Sequence, residues 1–111
     1  MIHLLRQRAT AVQKEEMLET LGTYIKLAVD IEQKVAAGGG ALHADCEVVL
    51  LEAGSRQADI WGADWIPASR EVRYEALINI RPSQNNRSLT IQDPAIRARV
   101  KEMVESLLGE A

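Results

Sequence analysis

Between Tyr24 and Glu32 the chain alternates without a fault. Ile25, Leu27, Val29 and Ile31 fall on one side, and Lys26, Ala28, Asp30 and Glu32 on the other. A period of two over the nine residues 24–32 predicts a half-buried strand. It therefore predicts a sheet, because a lone strand leaves its backbone donors and acceptors unpaired. The pattern continues towards Val35. The run Ala36-Ala37-Gly38-Gly39-Gly40 then reads as a break, a turn or a flexible hinge.

Helix signals flank this strand. Thr10-Ala11-Val12-Gln13 fits a capping box, opening a helix to about Leu21, with Ala11, Met17, Leu18 and Leu21 inside and Gly22 as its left-handed stop. Asp93-Pro94 opens a second helix with a cap and a proline at the first helical position. Ile96, Val100, Met103, Val104, Leu107 and Leu108 form its apolar stripe, and Gly109 ends it. Residues 45–54 admit two readings. A strand puts Cys46, Val48 and Leu50 on one face; a helix puts Cys46, Val49, Leu50 and Ala53 on one stripe. The Val pair favours strand. Asp45 as cap and Gly54 as stop favour helix, the preferred reading.

Further strands are expected at 2–6, at 60–66 with an irregularity at Gly62, and at 71–80. In the last, Val72, Tyr74, Ala76, Ile78 and Ile80 share a side. A short extended piece lies around Leu89-Thr90-Ile91. With 4% aromatic residues and no Phe, the core must be aliphatic. The expected fold is α+β: one domain over 1–111, with a small mixed, mainly antiparallel sheet and two to three helices packed on one face.

A net charge of −3 argues against a broad duplex-DNA surface, which needs a basic excess. The single cysteine, Cys46, excludes an intrachain disulfide and a multi-cysteine metal site. No segment reaches the ~20 apolar residues of a membrane span. The start carries no cationic leader, so a cytoplasmic protein is expected.

The segment Ile78-Asn79-Ile80-Arg81-Pro82-Ser83-Gln84-Asn85-Asn86-Arg87-Ser88 leaves an apolar strand and enters a turn rich in hydrogen-bonding side chains. Arg81 and Arg87 stand on either side of that turn. Pro82 keeps Arg81 extended, and Asn85 and Asn86 tolerate a left-handed backbone. Two guanidinium groups over one mouth suit phosphate or carboxylate. Arg81, Asn85, Asn86, Arg87 and Ser88 are therefore candidate ligand residues. Trp61 is a candidate stacking platform for a base or a filler of the aliphatic core, and Trp65 a candidate interface residue. The bland alternative is a loop whose Asn and Ser satisfy its own backbone.

His43 is the first candidate for acid–base chemistry, since only histidine titrates near neutrality unaided. A strand would align it with Asp45 and Glu47; a helix from Asp45 would break that triad apart. Asp30 and Glu32, two apart on a strand, can hold a divalent cation, but more often form a solvated face. Cys46 sits on an apolar stripe with no cationic neighbour and reads as a core residue. There is no Gly-rich phosphate loop, no G-x-S-x-G and no H-E-x-x-H, so no cofactor is expected and no metal site is assigned.

Four blocks together resemble a family of small uncharacterised bacterial proteins, a domain of unknown function. They are Leu21-Gly22-Thr23-Tyr24-Ile25-Lys26 running into Val29-Asp30-Ile31-Glu32; Leu42-His43-Ala44-Asp45; Gly54-Ser55-Arg56-Gln57 with Ile60-Trp61-Gly62; and Ile78 to Ser88. The resemblance implies a single compact domain and carries no activity. The leading expectation is a binding module for an anionic ligand at the Arg81–Ser88 loop: a nucleotide, a phosphorylated metabolite or single-stranded RNA. Its rivals are a small phosphoester hydrolase or nuclease using His43 with Arg81 and Arg87, and a structural or protein-interaction module. Exposed strand edges in a domain of this size also lead to the expectation of a symmetric homodimer.

Overall fold

The structure, a computed structural model, describes residues 1–109. The elements run β1 (His3–Leu5), α1 (Ala11–Leu18), β2 (Ile25–Asp30), β3 (Val35–Gly38), α2 (His43–Glu52), β4 (Ile60–Ile66), β5 (Glu71–Arg73) and α3 (Pro94–Leu108). The five strands form one sheet in the order β1-β3-β2-β4-β5, and every neighbouring pair is antiparallel. The α+β expectation holds.

The alternating run is the centre of this sheet, as β2. Ile25, Leu27, Val29 and Ile31 enter the larger core with Met17 of α1 and Val100, Val104, Leu107 and Leu108 of α3. The opposite side of β2 is not a solvated face. Ala28 packs with Val35, Ala37 and Ile60 under Cys46 and Leu50 of α2. The helices are thus divided, α1 and α3 on one face and α2 on the other, where the sequence had suggested a single face. The reason lies in β2's position: a central strand is covered twice, and a small residue such as Ala28 suits the thinner second layer.

Two further expectations change. The strand does not continue to Val35. It turns at 31–34, where the Asp30 carboxylate accepts from the N–H groups of Glu32 and Gln33, both at 2.9 Å, and from Ser55 Oγ at 2.6 Å. The supposed break at Ala36 is then β3, an interior strand between β1 and β2. Its small residues fit because a Cβ on Gly38 would already sit 3.2 Å from side-chain atoms of Ile25 and Leu27. The second change is at residues 71–80, where only Glu71–Arg73 pairs as a strand. Beyond it Glu75 bridges Thr90, and residues 76–89 form an excursion with a 3₁₀ turn at Leu77–Asn79.

Local signals held where the chain decides them alone. Thr10 Oγ1 accepts from Gln13 N–H at 3.1 Å, and the Gln13 side chain accepts from Thr10 N–H at 2.9 Å, which is the capping box. Helix α1 ends at Leu18, about one turn early and with Ala11 exposed, and Gly22 stops the chain at φ +83°. Asp93 Oδ1 caps α3 by accepting from Ala95 N–H at 2.8 Å. Residues 45–52 are helical, but α2 begins two residues earlier, at His43, with Leu42 at the N-cap. Among the described residues no helix is long and apolar enough to cross a membrane.

Candidate functional site

The Arg81–Ser88 loop forms as a turn, and its polar side chains are largely spent inside it. Arg81 and Asn86 exchange backbone bonds of 2.6 and 3.0 Å, Pro82–Gln84 make a 3₁₀ turn, and Asn85 takes φ +59°. The Arg81 side chain is 9% exposed. Its Nε donates to Ile78 O at 3.0 Å, and its Nη1 to Gln57 O at 2.8 Å and Gln84 Oε1 at 3.4 Å. Its Nη2 reaches Glu47 Oε2 at 3.5 Å, and the guanidinium lies 4.9 Å from the centre of the Trp61 ring. Burial pulls the Arg81 pKa below the usual arginine range, and Glu47 pulls it back.

The other candidates follow suit. Asn86 Nδ2 donates to the carbonyls of Asn79, Ser88 and Thr90 at 2.7, 3.0 and 3.0 Å, and its Oδ1 accepts from Gln92 N–H at 2.8 Å. Ser88 Oγ accepts from Thr90 N–H at 3.1 Å. Trp61 is 1% exposed within the larger core, so it offers no open face to a base. Trp65 is likewise buried. Of the candidate ligand residues, Asn85 and Arg87 are exposed. The Arg87 guanidinium makes no hydrogen bond or ion pair among the described residues. Arg81 floors an open groove of about 620 Å³ with Glu47, Gln57 and Gln84; Arg87 is not one of its walls. The two arginines do not share a mouth, and Glu47 sets a carboxylate in the groove that does contain Arg81.

What fixes this loop is Asn79, which is fully buried. Its Oδ1 accepts from Gly62 N–H at 2.8 Å and its Nδ2 donates to Gly62 O at 3.1 Å, so one side-chain amide does the work of a neighbouring strand. The same Nδ2 reaches the carbonyls of Tyr74 and Leu89 at 3.1 Å each. Gly62 is not an irregularity in β4, as its spacing had suggested. It is glycine because the excursion presses close: a Cβ there would collide with the Cβ of Ala76.

His43, the first residue of α2, faces Asp64 on β4. Its Nε2 lies 2.7 Å from Asp64 Oδ1 and 3.1 Å from Ala63 O. With α2 a helix, His43, Asp45 and Glu47 do not act as a triad: His43 reaches Asp64 and Glu47 reaches Arg81. Asp30 and Glu32 also part, Asp30 into the turn and Glu32 to Arg99 at 3.1 Å. Among the described residues no group of three or more His, Cys, Asp or Glu side chains is placed to hold a metal ion. Cys46 is fully buried, and burial pushes its thiol pKa up.

The sequence matches the family described as a protein of unknown function, DUF5674, over residues 3–107. The chain belongs to this family. No curated protein and no solved structure matches it. In this DUF5674 member three of the four blocks noted in the sequence meet in buried or partly buried bonds: Asp30 to Ser55, Arg81 to Gln57 and Trp61, and Asn79 to Gly62. As placed here, they hold the fold together.

Sequence reading missed the basic cavity of this DUF5674 chain. A depression of about 460 Å³ lies between the end of β1, the β2–β3 turn and α3. Arg6, Arg8, Lys34 and Arg99 line it, against one carboxylate, Glu102, and an apolar wall that includes Met103. Arg8 donates to Gly109 O, while Arg99 donates to Ile31 O at 2.8 Å and to Glu32. Arg6 and Lys34 are exposed, and their side chains have no partner among the described residues. Lys34 sits at φ +56°, a conformation costly for a residue with a Cβ. The signal was available only through topology. Leu5 pairs with Ala36, so the residue after β1 and the residue before β3 come together.

Proposed function

We propose that the protein is a binding module for an anionic small molecule, held in the cavity lined by Arg6, Arg8, Lys34 and Arg99. The observation that carries this reading is the charge balance: four cations line the cavity against Glu102, with Glu32 paired to Arg99 beside it, in a chain whose net charge is −3. Two of those cations are unsatisfied by the described residues. Such a pocket focuses field lines and draws an anion in, with an attraction that salt weakens. Its volume of about 460 Å³ lies within the range of small-molecule sites, which favours a nucleotide or phosphorylated metabolite over an RNA strand. Ile31, Met103 and Leu107 give an apolar wall, suited to a ligand with an apolar part beside its charge.

A thermal-shift series with inorganic phosphate, pyrophosphate, nucleoside mono- and diphosphates and a short single-stranded RNA tests the reading. A nucleotide at a hundred times its dissociation constant stabilises the folded state by about 2.7 kcal/mol, a rise of several degrees. Arg6→Ala combined with Lys34→Ala is expected to cut affinity at least tenfold, an estimate of about 1.4 kcal/mol. Arg87→Ala is expected to leave it unchanged. No shift with any anion overturns the proposal. A shift that survives the double substitution and disappears in Arg87→Ala returns the site to the loop.

A further inference from the structure

On the α2 face, a second pocket of about 320 Å³ is lined by Lys26, Leu42, His43, Glu75, Leu77 and Leu89, among others. Its chemistry differs from that of the basic cavity. Both groups within reach of His43 Nε2, the Asp64 carboxylate and the Ala63 carbonyl, are acceptors. In the neutral form of the ring Nε2 therefore carries the proton, and the lone pair is on Nδ1. Nδ1 has no hydrogen-bond partner among the described residues. The His43 side chain is 10% exposed and that of Asp64 14%, so the pair is shielded from bulk water. A carboxylate that fixes the tautomer and leaves the other nitrogen free is the arrangement a general base requires.

The walls specify the substrate. Lys26 and Arg73 lie across from Asp64 in the registers of β2 and β5, and Glu75 lines the pocket. The lining charges, Lys26 and Glu75, balance, as do Asp64 and Arg73 beside them, so nothing there draws a phosphate. Leu42, Leu77 and Leu89 are 57%, 77% and 41% exposed, an apolar surface at the mouth. We infer that His43 is a general base, positioned by Asp64, for hydrolysis of a neutral short-chain acyl ester. The inference is independent of anion binding in the basic cavity.

The step balances. Water's oxygen bonds to the acyl carbon as its proton passes to Nδ1. The carbonyl oxygen takes up negative charge, and positive potential for it comes from the Lys26 ammonium, held at the wall by its bond to Ala41 O at 3.1 Å. The adduct then breaks its bond to the alcohol oxygen, and Nδ1 returns the proton to the leaving alkoxide. The products are a carboxylic acid and an alcohol. Asp64 stabilises the imidazolium formed between these events without itself taking the proton.

The test is hydrolysis of p-nitrophenyl acetate, butyrate and octanoate by the full chain. Expected is a rate about a hundredfold above equimolar imidazole, with butyrate favoured over acetate. His43→Ala should return the rate to that of imidazole. Asp64→Asn should lower kcat about tenfold with KM unchanged, which loss of a merely structural contact would not produce. If either variant fails to fold, Leu77→Trp decides, because this exposed position can fill the pocket without touching the pair. It should raise KM for butyrate about tenfold. A wild-type rate no greater than that of imidazole or of His43→Ala overturns the inference. So does an unchanged KM in Leu77→Trp.

Discussion

Arg81 and Arg6 show two opposite uses of one side chain. Arg81 is nearly enclosed, stacked on Trp61 and bonded to two carbonyls, an amide and a carboxylate. Arg6 stands in water at the rim of a cavity beside Lys34, and neither has a partner among the described residues. A guanidinium whose donors are met by its own chain adds rigidity and has little left to offer a ligand. One whose donors are unmet costs little to place and keeps them for an incoming anion. The density of donors in a loop is therefore a poor guide to binding; what matters is where their acceptors are.

The largest effect should come from breaking the closed network at its centre. Asn79→Leu strands the N–H and C=O of Gly62 and forces bulk against β4, and unfolding titration should show a loss of about 4 kcal/mol. If Arg81 is scaffold, Arg81→Lys should cost about 2 kcal/mol, because an ammonium cannot replace a planar fork bonded on three sides. A stability unchanged within about 0.5 kcal/mol would show the arginine to be dispensable to the fold, and would erase its contrast with Arg6.

Alkaline pH tests the buried side of the comparison. Burial raises the Cys46 thiol above its usual 9.0, and the phenol of Tyr74 above its usual 10.0. The folded state therefore holds those protons more tightly than the unfolded chain. Their contribution is complete below pH 9.0 and is lost as pH rises through the folded values. Melts across this range should show stability falling, with a shallower fall in Cys46→Ala. The smallest effect belongs to the open site. Lys34→Gly relieves a left-handed backbone and should raise stability by about 0.5 kcal/mol while weakening anion binding. Opposite signs at one residue would mark Lys34 as kept for its charge.

What could be read beforehand was what the chain decides locally. Thr10 with Gln13, Asp93 with Pro94, and the alternation of β2 each rest on neighbours a few residues away. Val35–Gly38 escaped because alanines and glycines have low strand propensity; they form a strand only because β1 and β2 close on either side of them. The strand expected to reach Ile80 was cut short by Asn79, whose partner Gly62 lies elsewhere in the chain. In the candidate site, Arg81 and Asn86 were conspicuous, but their acceptors are mostly main-chain carbonyls, which look alike at every position of a sequence. Arg6, Lys34 and Arg99 share no local pattern. They meet only through the pairing of β1 with β3 and the packing of α3.

The amide of Asn79 has one more consequence. Strand β5 covers β4 only from Asp64 to Ile66, which leaves the Gly62 stretch of β4 as a sheet margin. Bare margins of this kind recruit strands from other molecules and seed aggregates. Asn79 caps that margin with a single side chain, and the excursion bearing it shields the remainder. A chain that loses the plug would begin to fail by sticking to its copies before it fails by melting.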